Sequence, residues 1–266
     1  MIGAIVGDIV GSRFEWGNLK SKEFELFSPA CGFTDDSVMS LAVCEALLES
    51  SPGWEDLAER AVACMRTLGR RYPGVGYGGR FLTWLHAVEP RPYRSYGNGA
   101  AMRVSGCGFA ASSLGEAEEL ARVVTAVTHD HPEGIKGAQA TAAAVYLART
   151  GSSMDEIRAY IAGRYYPWGF ASTVTLDAVR PRYTFDVSCQ GSVPQALEAF
   201  FESTSFEDAI RNAVSIGGDS DTIAAIAGGV AEAYYGVPGT IRERAVAYLT
   251  DDLRAILVQF EGRYPM

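Results

Sequence analysis

Residues 215–236 read SIGGDSDTIAAIAGGVAEAYYG, and this stretch decides how the rest of the chain is understood. From Thr222 onward it is almost entirely Ala, Gly and branched apolar residues. That is the composition of a helix buried on every side. Asp219 and Asp221 stand at its mouth, two residues apart, beside Gly217 and Gly218. A carboxylate taken into a core without a partner is costly, so two at one helix start need an explanation.

The same helical period recurs along most of the chain. Over 37–50, Leu41, Cys44, Leu47 and Leu48 share one face, with Glu45 and Glu49 off it. Residues 54–72 repeat the pattern between Pro52-Gly53 and Pro73-Gly74, which are start and stop signals. Further helices are predicted at 115–127, 133–149, 154–163, 193–202, 206–215, 222–235, 240–248 and 253–264. The segment 180–188 alternates weakly and reads as a connection. Gly3, Gly7 and Gly11 recur every four residues, a smooth stripe that admits a close neighbour, and the small residues of 224–229 offer a similar one. No linker or repeat divides the chain, so one all-α domain over 1–266 is expected, as a compact helical bundle.

Bulk composition narrows the function. The 266 residues carry a formal net charge of −9, against the basic surface that general nucleic-acid binding requires. Five scattered cysteines without a CxxC pair argue for a reducing, cytoplasmic setting rather than a disulfide framework. The apolar N-terminus lacks a basic n-region and is interrupted by Asp8, so neither a signal peptide nor a membrane span is expected. A monomer is the expected state.

The mouth at Asp219 has a counterpart. GFTDDSVMSLAV, residues 32–43, places Thr34, Asp35 and Asp36 directly before a helical pattern, and Glu15 ends the first apolar segment. Capping explains one such residue per helix, at about 1 kcal/mol each. Each mouth carries several. Like charges packed together repel and raise each other's pKa unless a cation balances them. Oxygen ligands from Asp, Glu and Thr suit Mg²⁺ or Mn²⁺. The two mouths therefore read as halves of one metal site, and a carboxylate shared between ions would make it binuclear.

Two more polar islands stand out. RSYGNGAAMRVSG, residues 94–106, is glycine-rich ahead of a small-residue helix, as a plain turn or a phosphate-binding loop would be. THDHPEGIKGA, from residue 128, holds His129 and His131, two of three histidines. His129-Asp130 suggests an HD-type phosphohydrolase, but the remaining histidine, His86, has no acidic neighbour of the right kind.

Together, GAIVGDIVGSRFEW, FTDDSVMSLAV, SYGNGAAMRVS with THDHPEGIKGA, and AVSIGGDSDTIAAIAGGVAEAYYG resemble the ADP-ribosylglycohydrolases of the dinitrogenase-reductase-activating and ADP-ribosylarginine hydrolase type. They fall in that family's order across residues 3–236. The resemblance implies an all-α fold with two Mg²⁺ or Mn²⁺ ions held by Thr34, Asp35, Asp36, Asp219, Asp221 and Thr222. It implies catalytic roles among Glu15, Asp35 and Asp36. Ser95, Tyr96, Gly97, Asn98, Gly99 and His129 match positions that hold ADP-ribose, with Tyr96 near the adenine. Arg94 departs from the small residue of some relatives. The implied activity is hydrolysis of the glycosidic bond between ADP-ribose and an acceptor. An inactive ADP-ribose-binding or structural relative, and a metal-dependent phosphohydrolase, are the alternatives.

Overall fold

The apolar run after Asp219 forms helix α12 (Ser220–Tyr235), with every residue from Ser220 to Glu232 buried. The computed structural model describes residues 1–167 and 175–265. Before α12 lie α1 (Ile2–Ser12), α2 (Asp35–Glu49), α3 (Leu57–Arg71), α4 (Gly79–His86), α5 (Ser105–Ala110), α6 (Leu114–Ala126), α7 (Pro132–Arg149), α8 (Met154–Arg164), α9 (Leu176–Val179), α10 (Cys189–Phe201) and α11 (Phe206–Ser215). After it come α13 (Gly239–Val246) and α14 (Asp251–Arg263). Among the described residues the sole extended pairing is an isolated antiparallel bridge between Gly97 and Ser188. The fold is all-α.

α12 is the axis of the packing. It touches α1, α7, α10 and α11, while α2 packs on α3 and α14. The contact with α1 is backbone against backbone. A Cβ added at Gly7 would run into the carbonyl of Ala224, and one at Gly11 would lie 2.5 Å from the Cα of Asp221. Ser220 Oγ donates to the Gly11 carbonyl at 3.1 Å. The glycine stripe thus seats α1 directly on the mouth of α12. The turn entering α12 is made by Gly217 and Gly218, at φ 72° and 69°, a region that side chains other than glycine's rarely adopt.

Several boundaries differ from expectation for local reasons. α10 starts four residues before the predicted 193, because Ser188 caps it by accepting from the Gly191 amide. Pro194 lies inside the helix rather than at its start. Helix α4 was not predicted: its eight residues are too few to show a period. The segment 180–188 is a connection, as read. All five cysteines are free and buried. Among the described residues no helix is long and apolar enough to cross a membrane.

Gly7→Ala forces the two backbones apart and is expected to destabilise the fold by about 3 kcal/mol, measured by denaturant unfolding. A loss below about 0.5 kcal/mol, the size of an ordinary surface change, would show that α1 and α12 are not held this closely.

Candidate active site

The two helix mouths meet, and a third helix joins them. Asp8, fully buried on α1, accepts from the Thr34 amide at 2.9 Å, the Thr34 hydroxyl at 2.6 Å, the Ser37 amide at 3.0 Å and the Ser37 hydroxyl. It thereby ties down the start of α2. Asp36 Oδ2 accepts from Thr222 Oγ1 at 3.2 Å, linking α2 to α12. Asp219 Oδ2 accepts from Asn98 Nδ2 at 2.7 Å, and the Thr222 amide donates to Asp221 Oδ1 at 3.0 Å. Among the described residues, two acidic triplets have ligand atoms mutually within 4.8 Å: Asp8, Asp36 and Asp221, and Glu15, Asp219 and Asp221. Asp221 belongs to both.

Asp8 is the residue that sequence reasoning passed over. Its signal was an acid inside an apolar, glycine-striped helix, which a buried position allows only with partners. Thr34 does cap α2, accepting from the Asp36 amide, whereas Asp219 makes no side-chain cap. Capping therefore accounts for Thr34 but not for the acids.

The acids raise one another. Burial, then Asp8, lifts the Asp35 carboxyl to about 7. Burial, then Asp8 and Asp35, lifts Asp36 well above its ordinary range, and burial, then Asp36 and Asp219, does the same to Asp221. Glu15, half-buried, is raised by burial and by Asp219 and Asp8. Asp36 Oδ1 is buried without a hydrogen-bond partner. An oxygen-rich cluster with an orphaned carboxylate oxygen fits a hard divalent cation.

These acids line a cleft of about 470 Å³, together with Met39, Val75, Phe81 and Met102. The same lining carries positive charge. Arg103, fully buried, is lowered by burial to about 10 and so stays cationic. It donates to Thr128 Oγ1 at 2.6 Å and lies 3.3 Å from His129 Nδ1. A guanidinium cannot accept a hydrogen bond, so its contact favours the tautomer with the proton on Nε2, with Thr128 Oγ1, 2.7 Å from Nδ1, able to donate to it. Burial and the charges of Arg103 and Arg80 hold His129 neutral. Its Nε2 faces Gly97 and Gly99, where added Cβ atoms would lie 3.6 and 3.4 Å away. Small residues at 97 and 99 are what let the ring approach the loop.

Every residue of the expected set lines this cleft except Tyr96. Tyr96 is half exposed and rests on His131, ring centroids 5.2 Å apart. Tyr93, which was not singled out, lines the cleft instead, beneath the Arg80 guanidinium. Arg94 has a left-handed backbone, φ 51°, with its amide bonded to Asp130 at 2.6 Å. That bond turns the chain between the two rings. His86 is exposed at the end of α4, outside the cleft.

A fold of helices enclosing an acidic cluster and a buried cation in one cleft has known counterparts. The ADP-ribosylglycohydrolase family matches over residues 1–264, and the chain belongs to that family. It is 28% identical to the human ADP-ribosylhydrolase ARH3, over 96% of this chain and 90% of that one. It is 27% identical to the ADP-ribosylarginine hydrolase Tri1 of Pseudomonas putida, over 90% of this chain and 70% of the relative. A solved ADP-ribosylglycohydrolase-related protein complex superposes with a TM-score of 0.71 at 25% identity, covering 99% of this chain and 95% of the other.

Because Asp35 is raised from an ordinary 3.8 to about 7, the folded protein binds more protons than the unfolded chain between those values. Stability therefore falls as pH rises through that window. In chelator, Asp35→Asn is expected to melt above wild type at pH 8, with the gap narrowing as the pH falls and closing only near pH 4. The gap should reach about 3 °C or more, since 1 kcal/mol is worth roughly 2–4 °C at this size. Equal melting temperatures at pH 8 would contradict the crowding of charge.

Proposed function

We propose that this chain is a metal-dependent ADP-ribosylglycohydrolase, hydrolysing the bond between the distal ribose of ADP-ribose and an acceptor. The observation that carries this is the lining of the cleft, which brings an acidic cluster, the Arg103 guanidinium and His129 into one cavity. The diphosphate suits the Arg103 and His129 side chains, to which the Ser95–Gly99 loop adds backbone groups. The distal ribose then reaches the acids.

Thr34, Asp35, Asp36, Asp219, Asp221 and Thr222 would hold two Mg²⁺ or Mn²⁺ ions, and Asp221 is the residue common to both acidic triplets. Bound there, the ions would supply Lewis-acid polarisation and orient ribose hydroxyls and water. Asp8 does not need to touch an ion to matter, since it sets the positions of Thr34 and Ser37.

Glu15 is suited to move the proton. It is half-buried, so its carboxylate borders both the cluster and solvent, and burial beside Asp219 raises its proton affinity. It takes a proton from the attacking water as the C1–acceptor bond breaks, and that proton leaves with the acceptor. The surrounding carboxylates stabilise the positive charge that develops on the sugar.

Incubation with an ADP-ribosylated peptide and Mg²⁺ should release intact ADP-ribose, identified by mass. Release of AMP would indicate pyrophosphate cleavage, and binding without product would indicate a non-catalytic relative. Asp36→Asn and Asp219→Asn should each lose roughly 100-fold or more, because partners one step removed from a metal already cost about 10–100-fold. EDTA should abolish turnover. Full activity of both folded variants with Mg²⁺ present would overturn the metal site.

A further inference from the structure

Asn98 lies between Gly97 and Gly99 in the loop that faces His129, yet its side chain turns to the acids. It is buried, 6% exposed. Its Nδ2 donates to Asp219 Oδ2 at 2.7 Å and to Ser192 Oγ at 3.0 Å. Ser192 Oγ spends its own hydrogen on the Asp186 carbonyl at 2.9 Å, so toward Asn98 it accepts. The direction of both bonds is thereby fixed, because a flipped amide would set its carbonyl oxygen against two acceptors. A primary amide has two hydrogens, and both are spent inside the protein. Serine or threonine at this position would have one.

The loop holds this amide in place through its backbone. The Asn98 N–H donates to the Val187 carbonyl at 2.7 Å, and the Asn98 carbonyl accepts from the amides of Ala101 and Met102 at 2.8 and 3.0 Å. The Cys189 amide donates to the Tyr96 carbonyl at 2.8 Å, beside the Gly97–Ser188 bridge. Ser192 belongs to α10, so the Asn98 side chain also ties the loop to that helix. Asp219 lacks such an anchor on its own helix, since it precedes α12 without a side-chain cap bond. A short carboxylate side chain left free by its own helix takes its orientation from its partners, and Asn98 is the partner held rigidly against it.

Resting on the metal site proposed above, in which Asp219 is a ligand, we propose that Asn98 is the positioning residue for Asp219. It holds one carboxylate oxygen so that the other is presented to a divalent cation. Such a partner matters because a ligand that must be turned into place gives up part of its binding free energy to that ordering. The family resemblance places Asn98 among the residues that hold ADP-ribose. The geometry gives its amide hydrogens to the metal ligand instead, and leaves the loop's backbone to the nucleotide.

The test measures Mn²⁺ binding without substrate, from the free-ion signal in electron paramagnetic resonance, with melting in chelator to confirm folding. Asn98→Leu keeps the bulk and removes both donors. Asn98→Ala removes both and keeps the backbone bonds of the loop. Each should bind Mn²⁺ about 10–100-fold more weakly than wild type. Ser192→Ala removes the other acceptor but leaves the bond to Asp219, so its affinity should stay within about threefold of wild type. Wild-type affinity in either folded Asn98 variant would overturn the proposal while leaving the metal site intact. So would an equal loss in Ser192→Ala, which would trace the effect to a loosened loop. Failure of both Asn98 variants to fold would make Asn98 a residue of the core and overturn the assignment too. No Mn²⁺ bound by wild type would overturn the metal site beneath it as well.

Discussion

The contact between α1 and α12 is the constraint on which the site depends. Two helices can approach until backbone meets backbone only where a side chain is missing at the contact, and Gly7 and Gly11 supply that absence against Ala224, Ser220 and Asp221. Close approach does more than fill space. Asp8 lies on the same helix between these glycines, and seating α1 on α12 carries its carboxylate to the starts of α2 and α12. Loosening this one contact would separate Asp8 from Thr34 and Ser37 and release the mouth of α2.

What gathers there is energetically unfavourable by itself. Asp8, Asp35, Asp36 and Asp221 are raised mainly by burial, and Asp35, Asp36 and Asp221 further by Asp8 and Asp219. Hydroxyls and amides offset part of this, most completely at Asp8. Asp36 keeps an oxygen without a partner. A scaffold selected only for stability would place apolar groups here, since buried charge is retained at a cost. The rigid helices behind the cluster supply the tolerance for that cost.

Much of this was legible in the sequence because the signals were local. An apolar helix with two acids at its mouth can be read from 215–236, and so can the TDD mouth opposite. The all-α class follows from repeated helical periods. Relations between distant segments were not legible. Asp8 looked like an interruption of an apolar run, because its four donors come from residues more than twenty positions away. Tyr96 sits in the motif that suggested a stacking ring, yet the turn at Arg94 sends it against His131 and leaves Tyr93 in the cleft. Asn98 sits in that motif too, yet its side chain bonds Asp219, 121 positions away. The alignment with human ARH3 spans 331 positions, more than this chain has residues, so that relative carries insertions this chain lacks.

The joining of α1 to α12 also bears on when the cleft can exist. Ser220 and Gly11, which bond directly, are separated by 209 positions. Loop-closure entropy and the slow formation of distant contacts make such a junction one of the later events in folding. During synthesis from the N-terminus, Asp8 waits with its helix until α12 emerges. The chain is thus spared an assembled acidic cluster until its last quarter is made, and an exposed α1, apolar around most of its surface, is the segment then most in need of protection.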